Sequence, residues 1–279
     1  MVENHLSSAP IGVFDSGYGG LTILNEMKKK LPEYDFIYLG DNARTPYGTR
    51  SFDVVYEYTL QCVEYLFRQG CRLVILACNT ASAKALRSIQ QIDLKKWTPE
   101  HRVLGVIRPT VEVVADLTQS RHVGLLGTIG TVQSQSYPLE INKLYPDIVV
   151  TATACPMWVP LIENQEYNSL GADYFVQKYV DELFSKDDKI DTVILGCTHY
   201  PLLADKISKV LPKGVMLVSQ GEYVAESLKK YLMRHTELDA YCSKNAKIRY
   251  LTTENEERFA QSASIFLQEK VRAERILLK

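Results

Sequence analysis

Short apolar runs alternate with amphipathic stretches along most of the chain. Runs of this length predict strands buried on both faces, and the segments between them predict the helices that cover a parallel sheet. Ligands of such sheets bind beyond the carboxyl ends of the strands, so we expect functional residues directly after the apolar runs. The runs are Ile11–Phe14, Phe36–Leu39, Leu73–Ala77, Val103–Ile107, Val123–Leu126, Ile148–Val150, Thr192–Leu195, Val215–Val218 and Ile248–Leu251, with helical stretches such as Leu21–Leu31, Phe52–Gln69 and Tyr174–Phe184.

The pattern also contains a weak internal repeat. The run Ile11–Phe14 resembles Val123–Leu126, and the run before Cys78 resembles the run before Cys197. Chance similarity between buried strands is the alternative, but two pairs in the same order and at similar spacing favour two α/β halves in tandem. We therefore expect two similar α/β halves. If a pseudo-twofold axis relates them, Cys78 and Cys197 face each other across one cleft.

Composition narrows the class of protein. The chain has 279 residues, of which 46% are hydrophobic, and this suits about two domains with buried cores. Its 32 Lys plus Arg and 33 Asp plus Glu give a formal net charge of −1, which argues against a nucleic-acid or membrane-surface partner. The polar residues Met1 to Pro10 lack the apolar core of a signal peptide. We expect a soluble, cytoplasmic protein.

Two of the six cysteines stand out by position. None forms a CxxC pair, and any one alone is most simply a buried small apolar residue. Cys78 and Cys197, however, each follow a buried strand at matching places in the repeat. After Cys78 the sequence favours a helix start, which favours negative charge, so we expect a lowered thiol pKa there.

Two opposed thiols have a specific chemical use. Inverting a carbon requires a base on one face and an acid on the other, and a thiolate and a thiol can exchange these roles.

Three further side chains have open interpretations. Asp15 is either a cleft carboxylate or a helix N-cap, and His199 either tunes a thiol or is an ordinary loop histidine. The Asp41–Gly48 segment either holds a carboxylate through backbone N–H groups or is a plain turn, and Glu163 by itself suggests a surface charge.

Four sequence blocks together resemble the glutamate racemases of the aspartate/glutamate racemase family. The resemblance runs in order from about Ile11 to Leu232, and the four blocks combined are highly specific. They are Gly12-Val-Phe-Asp-Ser-Gly-Tyr-Gly-Gly-Leu21, Gly40-Asp-Asn-Ala-Arg-Thr-Pro-Tyr-Gly-Thr49, Ala77-Cys-Asn-Thr-Ala-Ser-Ala83 and Gly196-Cys-Thr-His-Tyr-Pro-Leu-Leu203.

The resemblance implies two flavodoxin-like, doubly wound domains related by a pseudo-twofold axis, with the active site in the cleft between them. The first domain would hold residues 1–105 plus 219–279, and the second residues 106–218. The resemblance also implies a cofactor-independent, two-base racemisation that supplies D-glutamate for peptidoglycan. It makes Cys78 and Cys197 the bases, and suggests that Cys78 deprotonates D-glutamate and Cys197 L-glutamate. It also reverses the surface interpretation of Glu163. The catalytic assistants it implies are Asp15, His199 and Glu163, and the substrate contacts are Asp15, Ser16, Tyr47, Gly48, Asn79, Thr80, Thr131, Thr198 and His199. We expect no cofactor and no metal, glutamate as the ligand, and a homodimer.

Two stretches depart from the family pattern. Arg108-Pro109-Thr110 stands where the family usually has Glu-Pro-Gly, and Ser219-Gln220-Gly221 where it often has Asp-Ser-Gly. Both fall at the expected crossings between domains. A racemase of aspartate is the nearest alternative function. A Cys197–His199 acyl-transfer dyad leaves Cys78 without a role, a two-lobed binding protein would need neither thiol, and a metal site lacks a third ligand.

Overall fold

The computed structural model describes residues 9–278, and the chain there folds into two all-parallel sheets covered by helices. Most of the segment Met1 to Pro10, on which the expectation about a signal peptide rests, lies outside the described residues. The strands are β1 (Ile11–Asp15), β2 (Phe36–Gly40), β3 (Leu73–Leu76), β4 (Arg102–Gly105), β5 (His122–Gly127), β6 (Val149–Ala154), β7 (Thr192–Gly196), β8 (Met216–Val218), β9 (Ile248–Thr252) and β10 (Ala273–Arg275).

Helices of very different length connect these strands. Among the described residues no helix is long and apolar enough to cross a bilayer. The α-helices are α1 (Gly20–Lys30), α2 (Phe52–Arg68), α3 (Asn79–Lys84), α4 (Leu86–Ser88), α5 (Ile107–Leu117), α6 (Ile129–Gln133), α7 (Ser136–Leu144), α8 (Trp158–Glu163), α9 (Leu170–Lys186), α10 (Ala204–Val210), α11 (Gly221–Arg234), α12 (Thr236–Asp239) and α13 (Glu256–Leu267), with π or 3₁₀ turns at Ile89–Asp93, Leu94–Lys96 and Tyr200–Leu203.

The two sheets repeat one strand order. The first sheet runs β10-β9-β2-β1-β3-β4 and the second β6-β5-β7-β8, so that β2-β1-β3-β4 in one corresponds to β6-β5-β7-β8 in the other. The predicted α/β class with two flavodoxin-like halves is confirmed. The central strands β1, β3 and β7 are buried at every position, as expected for parallel strands covered on both faces.

Three strand predictions differ from the structure. The predicted run Val103–Ile107 extends beyond β4, which ends at Gly105. Val106 and Ile107 are apolar because they are buried at the start of α5. β6 extends to Ala154, beyond the apolar run, because it is an edge strand with several half-exposed positions. β10 was not predicted, since this short edge strand reads Ala-Glu-Arg and is largely exposed.

Candidate active site

One cavity lies where the carboxyl ends of the two sheets face each other. Three loops from each half line it, namely those that follow β1, β2 and β3 in the first sheet and β5, β6 and β7 in the second. In the first sheet the strand order reverses between β1 and β3, and in the second between β5 and β7, and ligands of doubly wound folds bind at such points. The lining residues are Ser16, Thr45–Thr49, Cys78, Asn79, Thr80, Thr128, Ile129, Cys155, Pro156, Val159, Pro160, Cys197, Thr198 and His199.

Cys78 enters the cavity from the first half. It is the N-cap of α3, where its Sγ lies 3.4 Å from both the Ala81 backbone N and the Ser16 hydroxyl. Burial, together with the charge of Asp15, raises the pKa of the Cys78 thiol to about 12 in spite of these hydrogen bonds. The expected lowering of this pKa is therefore wrong, because lost hydration of the thiolate outweighs the helix start. At neutral pH Cys78 is a proton donor.

Cys197 enters from the second half and has a charged neighbour instead. Its Sγ lies 3.8 Å from His199 Nδ1, and His199 Nε2 lies 3.0 Å from Glu163 Oε1. Burial alone would lower the pKa of His199, but its hydrogen bonds to Cys197 and Glu163 raise that pKa well above its ordinary value. The protonated form of the imidazole is therefore favoured, and it places a positive charge beside the Cys197 thiol.

Asp15 lies behind the cavity wall rather than on it. It is fully buried, and its carboxylate accepts hydrogen bonds from Gly17 N at 2.9 Å and from the Thr198 hydroxyl at 3.4 Å. Burial raises the pKa of Asp15, while the positive charge of His199 opposes the rise. The N-cap of α1 is Gly19, so the alternative interpretation of Asp15 as the cap does not apply. Asp15 joins the catalytic loops of the two halves.

Threonine hydroxyls bridge the halves on the other side of the cavity. Thr80 Oγ1 from the first half lies 2.9 Å from Thr128 Oγ1 of the second. Thr131 lies behind these two side chains and does not line the cavity. Its hydroxyl is 3.5 Å from that of Thr80 and 3.1 Å from that of Thr128. Of the predicted substrate contacts, Thr131 and Asp15 are thus behind the lining.

The Tyr47-Gly48 turn approaches the second half through its backbone. The Gly48 carbonyl accepts a hydrogen bond from Gly130 N at 2.8 Å, and a Cβ at Gly48 would lie 2.9 Å from Thr128 Cβ. The Tyr47 hydroxyl points the other way and donates to Asp41 at 2.5 Å. What this turn offers a ligand is its main chain, and glycine permits the close approach.

Sequence reasoning missed several lining residues. Cys155 and Pro156 follow β6, but the apolar run there was too short to locate the end of the strand. Val159 and Pro160 belong to α8, and no sequence pattern around them predicts that this helix packs against the cavity. The same rule about strand ends would have found Cys155 had β6 been predicted at its full length.

The lining combines polar and apolar groups. It contains hydroxyls, one amide, the His199 imidazole, thiols, backbone groups and the apolar side chains of Ile129, Val159 and several prolines, and no Lys or Arg is among the lining residues. Within residues 9–278 no group of three or more His, Cys, Asp and Glu side chains is arranged to hold a metal ion. Three thiols line the cavity: Cys155 donates a hydrogen bond to the Thr153 carbonyl at 3.7 Å, whereas Cys78 and Cys197 follow the equivalent strands β3 and β7 of the two halves.

Comparison with known proteins agrees with this arrangement. The model of the Asp/Glu/Hydantoin racemase family matches residues 19–228. A glutamate racemase of Ruegeria sp. (strain TM1040) is 39% identical over 271 residues, which cover 94% of this chain and 97% of that protein. A glutamate racemase isoform from Bacillus anthracis superposes with a TM-score of 0.87 at 32% identity, over 97% of this chain and 98% of the other. The glutamate racemase of Francisella tularensis in complex with D-glutamate gives 0.86 at 33% identity, with the same coverage. The chain belongs to the Asp/Glu/Hydantoin racemase family.

Proposed function

We propose that this chain interconverts L- and D-glutamate by moving the α-proton between Cys78 and Cys197. The observation that carries the proposal is the pair of buried thiols, contributed by equivalent strands of the two halves to one cavity. The relatives named above, which are glutamate racemases, support glutamate as the substrate.

The proposed reaction balances without a cofactor. The thiolate of Cys197 removes the α-proton of L-glutamate, and the thiol of Cys78 gives its proton to the opposite face of the same carbon. The product is D-glutamate, with a thiol at Cys197 and a thiolate at Cys78, and the reverse reaction restores the first state. The His199 imidazolium favours the resting state in which Cys197 is the base.

The other predicted residues act in this proposal as assistants and substrate contacts. Glu163 favours the protonated form of His199. Asp15 holds Thr198 in the loop after β7, and the Ser16 hydroxyl contacts the Cys78 thiol. Asn79 and Thr80 bind the substrate together with Thr198, His199 and the Tyr47-Gly48 backbone, all of which line the cavity. Thr131 acts through Thr80 and Thr128.

Further expectations belong to the same proposal. Sheet membership supports a division into residues 1–105 plus 219–279 and residues 106–218, since β8 completes the second sheet and β9 returns to the first. The six free thiols support a reducing, cytoplasmic location.

A homodimer, cofactor independence and a role in supplying D-glutamate for peptidoglycan are also proposed. Light scattering tests the dimer, and activity that survives a chelator tests the absence of a catalytic metal.

The substrate is tested by comparing two amino acids. Purified protein is incubated separately with L-glutamate and L-aspartate, and both enantiomers are quantified by chiral chromatography. We expect D-glutamate to form and aspartate to react far more slowly, because its side-chain carboxylate is one methylene short. Faster racemisation of aspartate would replace the proposed substrate, and hydrolysis of an ester without racemisation would favour the Cys-His acyl-transfer alternative.

A further inference from the structure

A closed ring of hydrogen bonds joins three side chains behind the cavity. Asn79 Nδ2 donates to Gln220 Oε1 at 2.7 Å, Gln220 Nε2 donates to the Tyr137 hydroxyl at 2.5 Å, and that hydroxyl donates to Asn79 Oδ1 at 2.6 Å. The three residues are 2%, 3% and 0% exposed, so water does not compete for these bonds. Hydrogen bonds that run in one direction around such a ring polarise and strengthen one another.

The backbone fixes the direction of the ring. Gln220 Nε2 also lies 3.3 Å from the Val106 carbonyl oxygen and 2.9 Å from Thr110 Oγ1. A carbonyl can only accept, so the nitrogen of the Gln220 amide and not its oxygen must face Val106. It follows that the Asn79 amide presents its oxygen to Tyr137 and its nitrogen to Gln220.

Asn79 is the member of the ring that lines the cavity. The hydrogen bond to Gln220 uses one of the two hydrogens on Asn79 Nδ2, which leaves the second N–H for a ligand. We propose that Gln220 and Tyr137 are positioning residues for racemisation, which hold the Asn79 amide so that this N–H donates to a carboxylate oxygen of the substrate. The inference rests on the proposed function, because that function supplies the carboxylate.

The ring also spans both halves of the molecule. Asn79 begins α3 of the first half, Tyr137 lies on α7 of the second, and Gln220 precedes α11, where the chain returns to the first half. Gln220 accepts from Asn79 through its Oε1, and its Nε2 lies 3.3 Å from the Val106 carbonyl oxygen. Its long side chain is what allows it to reach Asn79 and the Val106 carbonyl together.

A double-mutant cycle tests whether the ring acts through Asn79. Gln220→Met and Tyr137→Phe keep side-chain size but break the ring, and we expect each to lower kcat/KM by about tenfold for both enantiomers, mostly through KM. In an Asn79→Ala background the same changes should have almost no further effect. Matched controls are Gln177→Met, at an exposed glutamine of α9, and Tyr145→Phe, which removes a phenol bonded to the Glu112 carbonyl.

Nuclear magnetic resonance provides a readout that does not need activity. The Asn79 side-chain NH₂ signals, assigned by their loss in Asn79→Ala, should shift in Tyr137→Phe and Gln220→Met and stay unchanged in the controls. Unshifted signals, or kinetic effects that persist in full without Asn79, would overturn the inference. A wild-type chain that leaves glutamate unchanged would instead refute the proposed function, while the spectra still decide whether the ring holds Asn79.

Discussion

At the scale of single residues, the two thiols differ in what stabilises their charged forms. Cys78 is surrounded by a hydroxyl and a backbone N–H, and burial with the charge of Asp15 raises its pKa to about 12. Cys197 lies beside a protonated His199 held by Glu163. The two thiols therefore differ in the charges around them. The proposed reaction of L-glutamate accordingly uses Cys78 as the acid and Cys197 as the base.

Replacing one thiol should separate the two faces of the reaction. Cys78→Ser and Cys197→Ser should both abolish racemisation, because a serine hydroxyl is a far poorer base than a thiol. Each variant keeps one base, so a glutamate analogue with a β-leaving group should still be eliminated from one enantiomer: the D form by Cys197→Ser and the L form by Cys78→Ser. Elimination assays on both enantiomers measure this. A variant that eliminates both equally would contradict the assignment of faces.

The ion pair behind Cys197 predicts a pH effect. Glu163→Gln removes the carboxylate that helps to raise the pKa of His199, so this pKa should fall. The imidazolium is then lost at lower pH, and the alkaline limb of kcat/KM for L-glutamate should move to lower pH than in wild type. The pH profile of Glu166→Gln, at an exposed glutamate nearby, should match wild type. An unmoved profile in Glu163→Gln would remove Glu163 from the catalytic machinery.

At the scale of elements, the rule about parallel strand ends predicted much of the site. Asp15, Cys78 and Cys197 follow apolar runs that mark β1, β3 and β7, and all lie at or directly behind the cavity. The rule failed at β6, whose edge position leaves it only partly apolar, so Cys155 was missed. Contacts such as Gln220 with Asn79 join residues distant in sequence, and no local pattern encodes them.

The start of α1 packs tightly against the loop after β7. A Cβ on Gly19 would lie 2.4 Å from both His199 Nδ1 and Thr198 Oγ1. Gly19→Ala should therefore displace His199, which contacts the Cys197 thiol. We expect kcat/KM to fall about tenfold or more, the scale expected for an overpacked contact. Steady-state kinetics measure this, with Gly171→Ala of α9, where the nearest atom is 3.5 Å away, as the control. Wild-type kinetics in Gly19→Ala would show that the contact is not needed.

The loop between α5 and β5 is held by a carboxylate outside the active site. Asp191 accepts hydrogen bonds from the Thr118 hydroxyl and from the backbone N–H groups of Gln119 and Ser120. Although desolvation raises the pKa of Asp191, these hydrogen bonds prevail and lower it to about 2. A pKa that is lower in the folded than in the unfolded chain stabilises the fold above the unfolded pKa, and this contribution disappears as the pH falls through the folded pKa.

Asp191→Asn should accordingly lower the free energy of unfolding at pH 7. The difference from wild type should shrink between about pH 5 and pH 2, as the wild-type carboxylate becomes protonated. Urea denaturation at several pH values measures the difference, with Asp188→Asn as the exposed control. A difference that does not depend on pH would show that packing and not charge accounts for the effect.

At the scale of the whole molecule, catalysis depends on how two similar halves meet. Side chains and backbone from both halves are joined on every side of the cavity, by the Asp15–Thr198 and Thr80–Thr128 contacts, the Gly48–Gly130 bond and the ring around Asn79. The repeat predicted that two halves exist, but the geometry of their interface had to come from the structure. In the proposed reaction this interface brings the two thiols to one substrate.

Isotope labelling in D₂O tests the two-thiol account most directly. L-glutamate is incubated with wild-type protein in D₂O, and the α-position of each enantiomer is followed by mass spectrometry after chiral separation. In the proposed mechanism Cys197 removes the proton and Cys78 supplies one that has exchanged with solvent. Newly formed D-glutamate should therefore carry deuterium, while the remaining L-glutamate keeps its protium early in the reaction. D-glutamate that retains the original proton, or deuterium that enters L-glutamate as fast as D-glutamate forms, would contradict transfer between two separate thiols.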